Sequence, residues 1–265
     1  MRGATGLFPV LEGNGWPPGV DSFDARPLFP GAGVDWLSNN TAQAVISVFI
    51  VLVAWWIVAR KHTIVPGKRQ FAGEFLYDMI RNGLAREIIG PEFHRFVPYL
   101  VALFSFILVN NWFGEFFPFM FPTFSKIGYV YALALMSWLL YNGVGIARYG
   151  PLGYLKNATL PEGVPPALWI IIIPLEFLSN IIVRPLTLCL RLFANMFAGH
   201  LLTLVFVLGG TILLESGIPL AFAGVGSFAM AFLILPLELF IGALQAYIFT
   251  LLTAQYVSAA LSEGH

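Results

Sequence analysis

Two apolar stretches in the last hundred residues constrain the fold more than any other feature of the sequence. Residues 167–209 hold three charged side chains and one histidine, and residues 219–261 hold a single charged side chain. A helix of about 40 residues spans about 60 Å, whereas the hydrocarbon core of a bilayer is about 30 Å thick. These two helices are therefore expected either to tilt steeply or to break, and Pro185 and Pro236 are the positions where a break is expected.

The composition agrees with a membrane protein that crosses the bilayer several times. Of the 265 residues, 58% are hydrophobic and only 11% are charged, whereas charged residues make up about a quarter of a typical soluble domain. The 14 basic and 14 acidic residues balance, so the charge gives no reason to predict binding to nucleic acid. The single cysteine, Cys189, excludes an intramolecular disulfide, and its leucine neighbours indicate a buried apolar residue rather than a reactive thiol.

The predicted fold class is an all-α polytopic membrane protein with five net crossings. Residues 1–41 are rich in glycine and proline and are predicted to form an irregular extracytoplasmic arm. Residues 42–265 are predicted to form the membrane domain, in which the last two crossings make a membrane-embedded hairpin. The five predicted crossings are residues 42–60, 96–122, 127–147, 167–209 and 219–261.

The connections between the crossings indicate the orientation of the chain. Residues 60–95 hold seven of the fourteen basic residues, and the positive-inside rule places such a loop in the cytoplasm. The N-terminus is then expected outside and, after five crossings, the C-terminus in the cytoplasm. Residues 150–166 are rich in glycine and proline and are predicted to be a loop. We recognise no cleavable targeting signal, which favours a bacterial plasma membrane.

A further helix is predicted within the basic loop, at about residues 70–89. Apolar residues recur there at three- and four-residue spacing, with charged residues on the other faces. This pattern predicts an amphipathic helix that lies on the membrane surface. A solvated connector that packs its apolar side on neighbouring helices fits the pattern equally well.

Arg191 is a positive charge inside an apolar segment, which costs at least ~3 kcal/mol near the centre of a membrane helix. No acidic residue lies within four positions of it, so its partner is expected to be Glu176 or a residue of another subunit. At 100° per residue, Arg191 shares one face with small and polar residues, against which another helix can pack closely. The other members of that face are Arg184, Thr187, Ala194, Asn195 and Ala198. Arg184 is interpreted as snorkelling or as capping a neighbour.

The other ionisable groups form a staggered series across the predicted membrane. His200 and Glu238 fall in the outer half if the two long helices run antiparallel, whereas Glu176 lies closer to the cytoplasm. Such a series is what a proton path requires, although His200 and Glu238 also fit a buried pair that neutralises itself. Glu115, near the turn after the second crossing, either lines an aqueous path or is merely hydrated.

The segment RPLTLCLRLFANMFAGHLL, followed about fifty residues later by LELFIGALQAYIFTLL, resembles subunit a of F-type ATP synthase. The resemblance extends over residues 43–261. It implies a stator subunit that is not itself catalytic and that needs no cofactor or metal. The implied partners are the ring of c subunits, the b subunits of the peripheral stalk, the other Fo and F1 subunits and the lipid bilayer.

The resemblance also implies roles for individual residues. Arg191 matches the essential arginine that faces the rotor carboxylate, and Asn195 and Gln245 match polar residues near it. Tyr256 matches a tyrosine further along the last helix. His200 and Glu238 occupy two positions that many bacterial members fill with an acid and a histidine in the opposite order. Glu176 matches an acidic residue before the arginine, with its spacing to the Arg-Pro pair one residue off.

The mechanism implied by the resemblance is electrostatic. A rotor carboxylate is neutral while it faces lipid and becomes ionised opposite Arg191, so that its proton leaves through one of two half-channels. The alternative function is an ion channel or secondary transporter with its own substrate site, which predicts polar residues that converge within this chain. A third hypothesis is a structural membrane anchor, for which Arg191, His200 and Glu238 are dispensable.

Overall fold

The computed structural model of the protein describes residues 18, 38–60, 67–115, 122–159 and 169–262. Within these ranges the regular elements are helices, so the predicted all-α class is confirmed. The expected N-terminal arm lies outside the described residues, except for Pro18 and residues 38–41.

Seven helices account for most of the described chain. They are α1 (Asn39–Ala59), α2 (Lys68–Ile80), α3 (Val97–Glu115), α4 (Ile127–Thr159), α5 (Trp169–Leu178), α6 (Arg184–Glu215) and α7 (Ile218–Leu261). A π-helical segment, Arg81–Arg86, and the short turn Glu87–Ile89 continue α2, and a second π-helical segment, Ser179–Val183, joins α5 to α6.

Five helical stretches of the described chain are long and apolar enough to cross a membrane, as the sequence led us to expect. They are Asn40–Ala59, Val97–Glu115, Ile127–Lys156, Trp169–Glu215 and Leu220–Leu261. The last two exceed the length of one upright crossing, and their tilt in a bilayer stays a prediction.

The chain after the third apolar stretch is helical where a loop was expected. Helix α4 continues to Thr159, with a kink at Gly150. The φ angle of Gly150 is 73°, a conformation that favours glycine, and Pro151 follows where a new helical turn begins and its missing N–H is tolerated. The prediction of a loop over residues 150–166 is therefore wrong for residues 151–159.

Neither long apolar stretch breaks at its proline. Helix α7 runs through Pro236 without interruption. In the first stretch the change of geometry occurs at Ser179–Val183, where the helix widens into the π form. Pro185 follows as the second residue of α6, directly after this widened segment.

The described chain separates into two compact units. The first unit comprises Met1–Ala44, Asn110–Lys126 and Ala194–Ala243, and the second comprises Val45–Val109, Ile127–Phe193 and Leu244–His265. Both are defined by contacts between segments that are distant in sequence.

In the first unit, α6 and α7 are connected by a tight turn and pack against each other. Gly217, with a φ angle of 109°, lies between them, and α6 extends to Glu215. The Ser227 hydroxyl donates a 2.6 Å hydrogen bond to the Phe206 carbonyl. The location of this helix pair in a membrane stays a prediction.

In the second unit, the region predicted as an amphipathic helix divides into two parts. Ile80 and Leu84 are 0% and 1% exposed, so this part packs on neighbouring helices. Phe71 and Phe75 are 60% and 62% exposed and stack on each other, with ring centroids 6.4 Å apart. The packed connector therefore describes the turns around Ile80 and Leu84, and the location of Phe71 and Phe75 on a membrane surface stays a prediction.

Candidate functional site

Three ionisable side chains from three helices meet in the first unit. Glu115 ends α3, His200 lies on α6 and Glu238 lies on α7. One ligand-type atom of each residue lies within 4.8 Å of the other two. His200 Nε2 lies 3.2 Å from Glu115 Oε1, and both side chains are at most 10% exposed. We call these three residues the triad.

Glu115 reaches the triad because two polar residues fix the end of α3 against α7. The Asn111 side-chain amide donates a buried hydrogen bond of 2.8 Å to the Gly242 carbonyl, and the Trp112 indole donates one of 3.1 Å to the Leu239 carbonyl. Glu115 lies one helical turn beyond Asn111 and therefore on the same side of α3. The Glu115 side chain is 7% exposed.

Glycines make this close approach of the helices sterically possible. A Cβ atom on Gly114 would lie 2.7 Å from His200 Nε2, and one on Gly199 would lie 3.2 Å from Glu238 Oε1. Both distances are shorter than ordinary van der Waals contact. Position 114 therefore has to lack a side chain, and position 199 leaves little room for one.

One nitrogen of His200 is fixed by the backbone and the other faces the triad. Nδ1 lies 3.1 Å from the Met196 carbonyl, one turn earlier on α6. A carbonyl only accepts, so in this hydrogen bond Nδ1 carries the proton, and Nε2 faces the two carboxyl groups. Nε2 is buried and makes no hydrogen bond of good geometry with the described residues.

Glu238 is held by a threonine that sequence reasoning missed. The Thr203 hydroxyl donates a 2.9 Å hydrogen bond to Glu238 Oε1, whereas Oε2 is buried without a hydrogen-bond partner among the described residues. Thr203 follows His200 by three residues and so lies on the same face of α6. This three-residue spacing is the sequence signal from which the position of Thr203 beside His200 could have been predicted.

A cavity of about 230 Å³ opens beside the triad. Asn195, Ala198 and Gly199 contribute to its wall from α6. The structure therefore brings Glu115, His200, Glu238 and Asn195 around one space, although the sequence placed Asn195 with Arg191.

Arg191 lies in the second unit on an exposed face of α6. The neighbouring Leu188 and Leu192 are 1% and 0% exposed, whereas Leu190 is 42% exposed. Within the part of the chain that the structure describes, Arg191 has neither a hydrogen bond nor an ion pair. The predicted face also holds the exposed residues Thr187, Ala194 and Ala198.

Arg184 and Tyr256 contact each other in the second unit. The Arg184 guanidinium lies 5.3 Å from the centroid of the Tyr256 ring, within the range of a cation–π interaction. The Tyr141 ring lies 5.5 Å from Tyr256, and its hydroxyl donates to the Asn180 carbonyl at 3.2 Å. Arg184 is thus held by an aromatic ring, a partner that the sequence did not indicate.

The two remaining predicted residues occupy different environments. Gln245 is 6% exposed, and its Nε2 is buried without a hydrogen-bond partner among the described residues. Glu176 is half-buried on α5. The buried Cys189 is 1% exposed, which confirms its interpretation as a buried apolar residue.

Comparison with known proteins identifies the family. The model of the family described as ATP synthase A chain matches residues 41–258. The "ATP synthase subunit a" of Nocardioides sp. is 45% identical over the whole of both chains. The protein of that name from Pseudarthrobacter chlorophenolicus is 42% identical and covers 92% of both chains. The one from Streptomyces lividans is 39% identical, over 97% of this chain and 92% of its own. The chain therefore belongs to the ATP synthase A chain family.

Proposed function

We propose that this chain is the stator subunit of a rotary ATP synthase and carries protons to and from the c-subunit ring through two half-channels. Family membership supports a membrane subunit of the complex that is not catalytic. The bacterial relatives and the five long apolar stretches support a multi-pass protein of a bacterial membrane.

The observation that carries the proposal is the triad beside its cavity. Two carboxyl groups and an imidazole within 4.8 Å exchange a proton over short distances, because each accepts and releases one. The fixed Nδ1 of His200 directs Nε2 at the carboxyl groups. We assign the triad to the half-channel on the extracytoplasmic side, with Asn195 in its wall.

Arg191 is assigned to the boundary between the two half-channels. Its exposed face on α6 offers a place for a rotor helix, and its charge favours the ionised form of a carboxylate that arrives from lipid. Arginine suits this role because it keeps its proton even when it is desolvated. The same positive charge repels a proton that would cross directly from one side to the other. Gln245 and Tyr256, with Glu176, are assigned to the path toward the cytoplasm.

The basic loop supports the proposed orientation of the chain, and family membership supports the proposed partners. The N-terminus is placed outside and the C-terminus in the cytoplasm. The c-subunit ring is the partner of the Arg191 face, and the b subunits of the peripheral stalk, with the other Fo and F1 subunits, hold the chain against rotation. A membrane potential then drives each proton with ~2.3 kcal/mol per 100 mV.

The direct test is Arg191→Ala in the assembled complex. ATP-driven proton pumping is measured in inverted membrane vesicles, with ATP hydrolysis and the amount of assembled complex recorded in parallel. We expect pumping to be abolished while the complex still assembles. Arg95→Ala removes an equal charge from a side chain that is 80% exposed and is expected to leave pumping unchanged. Inhibitor-sensitive pumping at the normal rate by Arg191→Ala would overturn the proposal.

A further inference from the structure

We propose that a cleft in the second unit binds one anionic phospholipid, with the phosphate at Arg148 and one acyl chain along α4. The cleft has a volume of about 730 Å³ and lies where the beginning of α3, the middle of α4 and the end of α7 meet. All of its lining residues belong to the second unit. We call it the α3–α4 cleft. The proposal depends on the location of these helices in a membrane and not on the proton path.

Two polar contacts hold the three helix ends together at the charged end of the cleft. The Arg148 guanidinium on α4 donates a 2.7 Å hydrogen bond to Oε1 of Glu92, which precedes α3. The Tyr149 hydroxyl donates a 2.9 Å hydrogen bond to the Leu261 carbonyl at the end of α7. Leu261 is buried and lines the cleft. The position of this end of the cleft is therefore set by contacts between helices that are distant in sequence.

The lining of the cleft changes from charged to apolar along α4. Val144 and Leu140 line it one and two turns before Arg148, and Leu139 is the lining residue furthest from the charged end on this helix. The nine residue steps from Leu139 to Arg148 span about 14 Å of helix, which is close to half of a hydrocarbon core about 30 Å thick. The cleft is therefore about as long as one leaflet, with its charges at one end.

Gly143 leaves the wall of α4 open between these apolar residues. It lines the cleft, it is exposed, and a Cβ atom there would have no neighbour within 4 Å among the described residues. Acyl chains are the surrounding solvent of such a surface in a bilayer, and a chain in the cleft gains the dispersion contacts that an open space lacks. The apolar part of the cleft therefore fits one acyl chain.

The charged end of the cleft favours an anionic headgroup. Arg148 lies 2.7 Å from Oε1 of Glu92, and Arg95 lies 3.7 Å from Oε2 of the same carboxylate. One negative charge cannot balance two positive charges, so one positive charge remains for a phosphodiester. In this arrangement Arg95 offsets Glu92, and Arg148 keeps further N–H donors for phosphate oxygens. Both oxygens of Glu92 already face guanidinium groups, which disfavours the ammonium of a zwitterionic headgroup.

The binding test uses the intact complex, purified in detergent, depleted of lipid and supplied with phosphatidylglycerol that carries a photoreactive diazirine in one acyl chain. Mass spectrometry locates the label after illumination. We expect label on residues 139–144, and we expect unlabelled phosphatidylglycerol to remove it. Phosphatidylcholine and inorganic phosphate at the same concentration are expected to leave it in place. Equal removal by phosphatidylcholine contradicts an anionic headgroup, and removal by inorganic phosphate contradicts a lipid as the occupant.

A variant of Gly143 tests the part of the cleft assigned to the acyl chain. Gly143→Leu fills the cleft from α4 and is expected to abolish the label on residues 139–144. Gly128→Leu is the matched control, because Gly128 also lies on α4 and a Cβ there likewise has no neighbour within 4 Å in the described chain. Its labelling is expected to equal that of the wild type. Equal labelling in the two glycine variants overturns the site.

A second variant tests the phosphate position and does not depend on the first. Arg148→Gln is expected to raise the concentration of phosphatidylglycerol needed for half-maximal labelling about five-fold, the equivalent of about 1 kcal/mol for one arginine near an anionic lipid. Lys156→Gln removes an equal charge from an exposed residue of the same helix that does not line the cleft. It is expected to keep the wild-type affinity. Equal affinity in the two variants overturns the assignment of the phosphate to Arg148.

Photo-crosslinking in native membranes distinguishes a lipid from a protein occupant. The crosslinker is a photoreactive phenylalanine analogue in place of Leu139, which lines the cleft and is 57% exposed. We expect its adducts to have the mass of a phospholipid. A crosslink to another protein subunit, without phospholipid adducts, would overturn the proposal.

Discussion

Thr203 and Glu238 lie on different helices, and a hydrogen bond of 2.9 Å joins the threonine hydroxyl to one carboxyl oxygen of the glutamate. The bond determines which oxygen of Glu238 remains available to the triad. Together with the contact between His200 and the Met196 carbonyl, it fixes the orientation of two of the three side chains on which the proposed function depends.

Thr203→Val is therefore expected to reduce proton pumping without preventing assembly. Valine keeps the shape of the side chain but removes the donor, and a hydrogen bond of this type contributes about 1 kcal/mol, or about five-fold in rate. The measurement is ATP-driven pumping in inverted vesicles, normalised to the amount of complex. Thr211→Val is the control, because Thr211 lies on the same helix, is exposed and donates only to the Leu208 carbonyl. Equal pumping by both variants would contradict a positioning role for Thr203.

Gly114→Ala is expected to displace His200 and to abolish most pumping. The added Cβ would lie 2.7 Å from Nε2, so either the imidazole or the end of α3 must move, and overpacking of this kind costs about 1 to 3 kcal/mol. Gly226→Ala in α7 is the control, since a Cβ there has no neighbour within 4 Å. Pumping and the thermal stability of the solubilised complex are measured together. Normal pumping in Gly114→Ala would show that the position of His200 does not matter.

An exchange of the acid and the imidazole tests the triad as a relay. His200→Glu leaves three acids and Glu238→His leaves one acid and two imidazoles, whereas the double variant restores two acids and one imidazole. We expect the double variant to pump faster than either single variant. A double variant no faster than the slower single variant would exclude the pair as a relay, and the amount of assembled complex serves as the internal control.

Tyr256 is expected to act through its ring and not through its hydroxyl. The ring faces the Arg184 guanidinium at 5.3 Å, and such contacts contribute about 0.5 to 1 kcal/mol. Tyr256→Phe keeps the ring and should match the wild type, whereas Tyr256→Leu should lower the thermal stability of the purified complex and reduce pumping. The midpoint of thermal inactivation measures the difference. Equal losses in both variants would assign the role to the hydroxyl.

The number of long helices could be predicted from the sequence, because apolar runs longer than a bilayer crossing are rare in soluble folds. The helical turns after Gly150 could not, since glycine and proline also begin helices and the local pattern there is that of a loop. In the site, His200 and Glu238 stand out as ionisable residues in apolar segments. Thr203 does not stand out, because threonine is common in membrane helices and only the contact with Glu238 gives it a role.

The proximity of Glu115 to His200 and Glu238 depends on tertiary structure. The Asn111 and Trp112 side chains donate hydrogen bonds to backbone carbonyls of α7 and fix the end of α3. A sequence does not indicate which backbone carbonyl a side chain will contact. The close packing at Gly114 likewise becomes meaningful only once the neighbour of that glycine is known. Sequence reasoning therefore found the ionisable groups and missed the contacts that bring them together.

The π-helical segment Ser179–Val183 changes the directions in which the charged side chains of α5 and α6 point around the helix axis. A π turn holds about one residue more than an α turn. Arg184 follows Glu176 by eight residues, but the chain between them turns about the helix axis only as far as about seven α-helical residues would. That rotation is close to two full turns. Seven further steps lead to Arg191. The widened turn absorbs one residue and keeps Glu176, Arg184 and Arg191 within about 40° of one another around the helix axis. An uninterrupted α-helix would rotate Glu176 away from Arg184 by about 80° and away from Arg191 by about 60°.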